Sequence, residues 1–272
     1  MLVSTLVFFH AHPDDEASQT AGTMMLAAER GHRVVVVFAT GGEHGTVPDD
    51  LAPGETVAQR RRAEADASAR ILGIARVAWL GYHDSGMTGW SQNSDPLSFV
   101  QANLDQAGRR LADILDQEHA DVLVTYDWHG NYGHPDHVKV HQVAYRAAQL
   151  ASHPARVLEQ TTNRDDMRRM AARAAALGID SSFDEMVGDD GLPIGLPESE
   201  IGWRVDVSSV LDRKRAALAA HGSQSDTQWM LSVPPEAFRA WMGREYYREE
   251  GRPGPIVDGL PFEEAAIQQS PS

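Results

Sequence analysis

Short apolar runs alternate with longer amphipathic stretches from the N-terminus to about residue 163. The runs that predict strands are residues 5–11, 32–40, 75–82, 121–127 and 155–163. The stretches that predict helices are residues 17–31, 56–73, 97–120 and 134–152. The run RVVVVFAT is apolar on both faces, which is typical of a parallel strand covered by helices on both sides. This alternation predicts an α/β fold with a Rossmann-like, doubly wound, mostly parallel sheet and helices on both of its faces.

The pattern changes between residues 163 and 200. Residues 164–178 predict a charged helix, and residues 179–200 are acidic and rich in Gly and Pro, which indicates a surface loop. Residues 203–224 then return to a strand and a helix. We therefore expect one domain over residues 1–250, with an inserted helix and loop at 163–200, and a flexible tail over residues 251–272.

The amino-acid composition limits the classes of function that this protein can have. The chain has 24 Lys and Arg against 39 Asp and Glu, a net charge of −15, and this acidity argues against a nucleic-acid partner. It has no cysteine, so a metal ion would have to be held by histidines and carboxylates. The apolar run at residues 2–9 is far shorter than the roughly 20 residues that span a membrane. We expect a cytoplasmic protein without membrane insertion, and the oligomeric state is left open.

Polar residues collect where the predicted strands end. HAHPDDE follows the first strand, ATGGEHG the second, GYHDSGM the third and TYDWHGNYGHPDH the fourth. The carboxyl ends of parallel strands lie at one edge of a sheet, where sites of open α/β sheets form. Ionisable groups crowded beside an apolar core are costly to desolvate unless they are compensated, and a divalent metal ion commonly compensates such a mixture.

The residues themselves leave alternatives open. His12 and a following aspartate can reach one ion if the turn at Pro13 brings them together, and of His134 and His137 one could bind the ion while the other faces a substrate. Two histidines and one carboxylate form a catalytic zinc set with an open position for water, and a second carboxylate could accept a proton. Taken singly, HPDD is more typical of a capped helix start and HPDH of a surface helix entry; together, each after a predicted strand, they favour a metal site.

Other polar residues have plainer interpretations. His10 is expected in the sheet core or behind the metal ligands, and His141 in a buried structural role. The run Arg60–Arg62 is typical of a solvated helix face.

The pair AHPDDE and HPDH resembles the LmbE-like, or PIG-L, family of zinc-dependent N-deacetylases. The resemblance extends from about residue 4 to residue 225 and includes ATGGEHG, RRAE and LGYHDSGM. The later segments, GLPESE and RVDVSSVLDRKRAALAAHGSQ, look like the actinobacterial mycothiol-pathway branch of the family, which contains a deacetylase and an S-conjugate amidase. The family resemblance implies an LmbE-like fold and assigns a role to each matching residue.

By this resemblance the zinc ligands would be His12, Asp15 and His137; Fe²⁺ suits the same ligand set. Asp14 would be the general base. His134 would stabilise the tetrahedral intermediate as a cation and protonate the amine, and Asp136 would orient His134. The remaining assignments are Tyr132 for the oxyanion and Arg61 and Asp84 for sugar hydroxyls.

The implied activity is hydrolysis of the N-acetyl or N-acyl group of a small N-acylglucosamine-type substrate by zinc-activated water. One alternative is an amidase that cleaves a larger amide, such as a thiol S-conjugate, on the same zinc site. A non-catalytic sugar-binding protein is less favoured, because Asp14 and His134 are both present. A metal phosphohydrolase is also disfavoured, since it usually needs a second metal ion or a basic phosphate clamp, and the sequence shows only the run Arg60–Arg62 and scattered arginines.

Overall fold

The computed structural model describes residues 3–176, 187–252 and 254–263, and its centre is one sheet of eight strands. The strands are β1 (Thr5–His10), β2 (Arg33–Thr40), β3 (Arg76–Tyr82), β4 (Val122–Tyr126), β5 (Arg156–Thr161), β6 (Trp203–Asp206), β7 (Arg244–Arg248) and β8 (Val257–Asp258). The α-helices are α1 (Ala21–Glu29), α2 (Val57–Leu72), α3 (Leu104–Glu118), α4 (Pro135–Leu150), α5 (Arg164–Ala176), α6 (Leu211–Ala220), α7 (Ser225–Ser232) and α8 (Pro235–Met242). Among the described residues, no helix is long and apolar enough to cross a membrane.

The strand order places the two histidine motifs side by side. The order is β3-β2-β1-β4-β5-β7-β6-β8, and β1 to β5 are all parallel. The chain runs outward from β1 to β3 and then returns to the other side of β1 with β4, so the strand order reverses between β1 and β4. Ligands of doubly wound sheets bind outside the carboxyl ends of the strands at such a reversal. The segments that leave β1 and β4 carry HAHPDDE and HPDH, respectively. The predicted doubly wound α/β fold is confirmed.

Alternate residues of the central strands build two separate cores. Leu6 and Phe8 of β1 pack on one face, and Val7 and Phe9 pack on the other. The first face is covered by α1, α2, α6 and α8, and the second by α3 and α4. This burial on both faces explains why the central strands show continuous apolar runs.

The far edge of the sheet is mixed. Strand β7 runs antiparallel to both β5 and β6, and β8 pairs with β6. Residues beyond 251 therefore contribute to the sheet, and Leu260 and Phe262 are buried. The part of the predicted tail that the structure describes is thus packed against the sheet, and the boundary expected at residue 251 stays a prediction. Its Gly and Pro content is typical of disorder, but two apolar anchors and a two-residue strand hold it in place; residues 264–272 lie outside the described ranges.

The segment at 163–200 begins with the predicted helix, α5 (Arg164–Ala176). Residues 177–186 of the predicted loop lie outside the described residues. The part from 187 to 196 folds back: Asp189 donates its N–H to the Tyr132 carbonyl at 2.7 Å, and Gly195 donates to the Asn131 carbonyl at 2.7 Å. The end of the predicted loop thus lies against the chain between β4 and α4.

A buried ion pair joins the edge of the sheet to the first helix. The carboxylate of Glu245 on β7 accepts the N–H groups of Gly22 and Thr23, each at 2.8 Å, and Nζ of Lys214 at 2.7 Å. Lys214 and Glu245 are 1% and 3% exposed, respectively. Glu245 therefore stabilises the N-terminal turn of α1 and compensates the charge of Lys214.

Replacing Glu245 with alanine is expected to lower the free energy of unfolding by about 3–5 kcal/mol, because it leaves a buried ammonium without a partner. Lys214→Met is expected to cost clearly less, since Glu245 keeps its two backbone donors. Urea unfolding followed by circular dichroism measures both. Equal losses in the two variants would contradict the assigned role of the backbone donors.

Candidate metal centre and active site

The first motif forms a tight turn between β1 and a π-helical turn at Glu16–Thr20. Asp14 has a φ of +112°, an unusual conformation for a residue other than glycine. Asp15 holds the turn, because its Oδ2 accepts the N–H of His12 at 2.9 Å and its Oδ1 accepts Nε2–H of Gln19 at 3.0 Å. The turn therefore presents Asp14 and Asp15 in different directions, as two adjacent carboxylates with different tasks require.

The second motif forms the N-terminus of α4. His134 is its N-cap and Pro135 occupies the first turn, where a missing N–H costs nothing. Nδ1 of His134 accepts the N–H of Asp136 at 3.1 Å. His137 is fully buried, with its ring stacked on Tyr126 at a centroid distance of 4.3 Å. Both rings are therefore fixed by local contacts before any ligand binds.

The two motifs converge on one carboxylate oxygen. Oδ2 of Asp15 lies 3.6 Å from Nδ1 of His12 and 3.3 Å from Nε2 of His137. Two ligand atoms that each lie about 2.1 Å from a tetrahedral ion are separated by about 3.4 Å. Each of these two spacings fits a pair of ligands on a zinc-sized ion, and the joint ligand set of His12, Asp15 and His137 stays a prediction.

Further potential ligands surround His12. Ring nitrogens of His12, His134 and His137 lie within 4.8 Å of one another, and so do ligand atoms of His12, Asp84 and Asp136. Nε2 of His12 is 3.2 Å from Asp136 and 3.5 Å from Asp84. Burial by itself lowers the pKa of His12, but the neighbouring carboxylates, Asp84 first among them, raise that pKa well above its usual value. The site thus favours a positive charge at its centre, and a divalent cation satisfies this demand.

Asp14 stands beside the predicted ligands and is paired with Arg61. Oδ2 of Asp14 accepts NH2 of Arg61 at 2.9 Å, and the same guanidinium donates to the carbonyls of Pro13 and Gly42. Burial raises the pKa of Asp14 to about 6, although the charge of Arg61 acts in the opposite direction. Arg61 is only 4% exposed, so the expectation of a solvated face for the Arg60–Arg62 run is wrong at this position. The residue sits on the inward face of α2 and fixes the turn that carries Asp14.

Glu16 supports the same turn from behind, a role that the sequence did not indicate. Its Oε2 accepts the N–H of Asp14 at 2.9 Å, and its Oε1 accepts Oγ–H of Ser68 and Nε2–H of His221, each at 2.6 Å. Burial raises the pKa of Glu16, but His221 outweighs this effect and lowers it. A buried network from α2 and α6 therefore positions the backbone of Asp14.

Asp136 contacts other groups than those expected. Its carboxylate accepts the N–H of Ser85 at 2.9 Å and the hydroxyl of Ser85, and it faces His12. The expected support of His134 comes instead from the backbone N–H of Asp136. Because that N–H donates to Nδ1, His134 is held in the neutral form with its proton on Nε2, and burial lowers its pKa further. The neutral form of His134 is therefore favoured in this arrangement, and its expected role as a cation at the tetrahedral intermediate stays a prediction.

The other predicted residues also lie at the site. The hydroxyl of Tyr132 is 3.3 Å from Nε2 of His137. Asp84 accepts the N–H groups of Gly86 at 2.8 Å and His44 at 3.1 Å, and it lines a cavity of about 270 Å³ together with Arg61. His12, Asp14, Asp15, Tyr132 and His134 line this cavity as well.

Two further histidines act as packing partners. His10 contacts the hydroxyls of Tyr126 and Thr20, and burial lowers its pKa to about 4. His141 contacts the carbonyl of Tyr126 at 3.0 Å. Both hold Tyr126, the residue on which the His137 ring stacks, and this agrees with the supporting positions expected for them.

Comparisons with known proteins identify the family and several relatives of this chain. The family model described as GlcNAc-PI de-N-acetylase, PIG-L, matches residues 7–148. The chain is 35% identical to the 1D-myo-inositol 2-acetamido-2-deoxy-alpha-D-glucopyranoside deacetylase of Thermobispora bispora, over 96% of this chain and 93% of that protein. It is 37% identical to the protein of the same name from Acidothermus cellulolyticus, over 82% of this chain and 80% of that one.

Solved structures share the fold at lower sequence identity. N,N'-diacetylchitobiose deacetylase from Pyrococcus horikoshii superimposes with a TM-score of 0.59 at 21% identity, covering 90% of this chain and 83% of that one. The conserved protein TT1542 from Thermus thermophilus superimposes with a TM-score of 0.61 at 20% identity, covering 94% and 98%. With the family model spanning both histidine motifs and relatives of 35% identity along nearly the whole chain, this protein belongs to the PIG-L, or GlcNAc-PI de-N-acetylase, family.

Proposed function

We propose that this protein is a metal-dependent hydrolase that removes the N-acetyl or another N-acyl group from an N-acylglucosamine-type sugar. The observation that carries the proposal is the convergence of His12 and His137 on Oδ2 of Asp15, with the carboxylate of Asp14 beside them. The names of the relatives direct the choice of a first substrate, since both proteins act, by name, on a glucosaminide of myo-inositol. The ligand type favours Zn²⁺, and Fe²⁺ suits the same set.

The chain's own residues divide the reaction between them. A divalent ion held by His12, Asp15 and His137 would polarise the amide carbonyl and lower the pKa of water. Asp14 accepts a proton from the attacking water and returns it to the departing amine. The amide C–N bond breaks, the water oxygen remains on the acyl carbon, and the products are a carboxylate and an amine.

Two more side chains orient the amide. His134 presents Nε2–H to the substrate, because its Nδ1 already accepts from Asp136. The hydroxyl of Tyr132, beside His137, is placed to donate to the carbonyl oxygen as negative charge develops there. We also propose that Arg61 acts mainly by holding Asp14, and that Asp84 and the polar groups around it face the sugar.

Amine release from a panel of N-acetylglucosaminides tests the proposal. The panel contains free N-acetylglucosamine, its α-linked myo-inositol glycoside and a cysteinyl conjugate of the deacetylated glycoside. We expect release from the inositol glycoside that stops after chelation and returns with Zn²⁺. A protein that binds metal yet releases no amine from any member would refute the deacetylase assignment, and cleavage of the conjugate alone would establish the amidase alternative.

A further inference from the structure

A second, larger cavity opens on the other side of the catalytic turn. Its volume is about 480 Å³, against about 270 Å³ for the cavity that contains Arg61 and Asp84. The two cavities share the lining residues Asp14, Asp15, Met87, Tyr132 and Asp226. They therefore meet where the scissile amide has to lie, within reach of the general base and the metal ligands.

The larger cavity has an adaptable apolar wall. Five of the nine methionines of the chain line it, namely Met87, Met167, Met170, Met230 and Met242. Trp229 and Trp241 add an edge-to-face aromatic pair at a centroid distance of 5.6 Å. Methionine side chains are flexible and polarisable, so they adapt to apolar ligands of irregular shape.

Both basic residues of this cavity are paired within the protein. Lys214 pairs with Glu245 at 2.7 Å, and Arg244 pairs with Asp166 at 3.3 Å. The lining of the larger cavity is mostly apolar, although the amide oxygens of Gln19 and Gln160 lack a partner among the described residues, and this lining favours an apolar group over a sugar. Polar surface predominates in the smaller cavity, whose lining includes Asp84, His44 and Gln224.

The direction of the substrate follows from this contrast. The nitrogen of the amide carries the sugar, and the carbonyl carbon carries the acyl group, so the two substituents leave the reacting centre on different sides. With the sugar among the polar groups of the smaller cavity, the acyl group points into the larger one. An acetyl methyl, roughly the size of a water molecule at about 30 Å³, leaves most of that cavity unfilled.

We propose that the larger cavity binds the acyl group of the substrate and that this group is an unbranched apolar chain of medium length. The inference rests on the proposed function and specifies its substrate class. The protein then hydrolyses medium-chain N-acylglucosaminides in preference to N-acetylglucosaminides.

A chain-length series measures this preference. The substrates are methyl glycosides of glucosamine with N-acetyl, butanoyl, hexanoyl, octanoyl and decanoyl groups, and the metal-loaded protein is used. Burial of each CH₂ is expected to raise kcat/KM by about fourfold along the series. The octyl glycoside of N-acetylglucosamine is the matched control, because it carries the same alkyl chain on the aglycone side.

Two matched variants on α5 locate the chain. Met170 is half-buried and lines the larger cavity, whereas Ala172 is exposed on the same helix and is not among the lining residues. Met170→Glu is expected to lower kcat/KM for the octanoyl substrate at least tenfold and to change that for the acetyl substrate by less than twofold. Ala172→Glu is expected to change neither. Thermal unfolding verifies that both variants are folded.

A binding measurement that needs no turnover complements the kinetics. Calorimetric titration of the chelated wild-type protein with the same amides is expected to give affinities that increase with acyl length and a negative heat-capacity change. This readout stays informative if Met170→Glu fails to fold.

The outcomes separate the inference from the function on which it rests. Hydrolysis of the acetyl substrate with no gain for longer acyl chains overturns the inference and leaves the deacetylase assignment standing. A gain for the octyl glycoside in place of the octanoyl amide also overturns it, because the aglycone would then fill the cavity. Chain-dependent binding without hydrolysis of any amide upholds the cavity assignment and refutes the hydrolase, and loss of both refutes both.

Discussion

Replacing Asp14 with asparagine is expected to lower kcat for amide hydrolysis by roughly 10²–10⁴-fold, the usual contribution of a general base. Asparagine suits the position because it tolerates positive φ better than most residues and keeps an oxygen for Arg61. The variant removes the proton acceptor but preserves the turn. Amine release under saturating substrate measures kcat, and metal analysis is expected to show unchanged metal content.

The matched control for this experiment is Asp49→Asn. Asp49 is exposed on the loop that precedes α2, and its replacement makes the same chemical change away from the cavities. It is expected to retain wild-type kcat. If Asp14→Asn binds metal and keeps more than a tenth of the wild-type kcat, another group takes the proton and our assignment of the base is incorrect.

Loss of either histidine ligand is expected to remove the metal. His12→Ala and His137→Ala each delete one of the two nitrogens that face Oδ2 of Asp15, and they leave a site with too few ligands for tight binding. We expect the dissociation constant for Zn²⁺ to rise by more than 100-fold, since changes in the outer partners of metal ligands already cost about 10–100-fold. Competition with a chromophoric chelator measures the constant.

His141→Ala provides the comparison within the same helix. His141 lies one turn after His137 and contacts the carbonyl of Tyr126, away from the ligand set. The variant is expected to bind Zn²⁺ within a few-fold of the wild type. A similar loss of affinity in all three variants would point to damage of α4 in place of removal of ligands.

The central part of the site could be predicted from the sequence, because the residues that can bind a metal lie where the predicted strands end. HAHPDDE and HPDH each follow a strand, and parallel strands bring their carboxyl ends to one edge. That β1 and β4 are adjacent strands then followed from the doubly wound strand order, which is a property of the fold class. Those motifs sufficed to bring His12 and His137 close to Asp15, whereas the ligand set itself came from the family resemblance and stays a prediction.

Residues whose role depends on contacts between distant segments could not be predicted from the sequence. Glu16 belongs to the first motif, but its partner His221 comes from α6, and no spacing rule connects them. Arg61 lies in a run of three arginines, and only the packing of α2 against the catalytic turn distinguishes the buried one. The form of His134 depends on a single backbone hydrogen bond, which a residue pattern does not encode.

The far edge of the sheet was also not predicted from the sequence. Strand β7 and helices α7 and α8 were not among the predicted elements, and β8 fell in the predicted tail. These elements are two to eight residues long, and their apolar residues find partners on distant segments. Such short elements are stabilised by tertiary contacts more than by local propensity.

The reversal of strand order has a consequence for the assembly of the chain. His12 and Asp136 are 124 residues apart in sequence, and they meet only after β4 has paired with β1 across the middle of the sheet. A nascent or truncated chain that ends before β4 therefore carries two of the three proposed ligands, His12 and Asp15, and has no complete ion site. Because the full set of proposed ligands exists only once β1 and β4 have paired, available Zn²⁺ is expected to bias the folding equilibrium towards the folded protein.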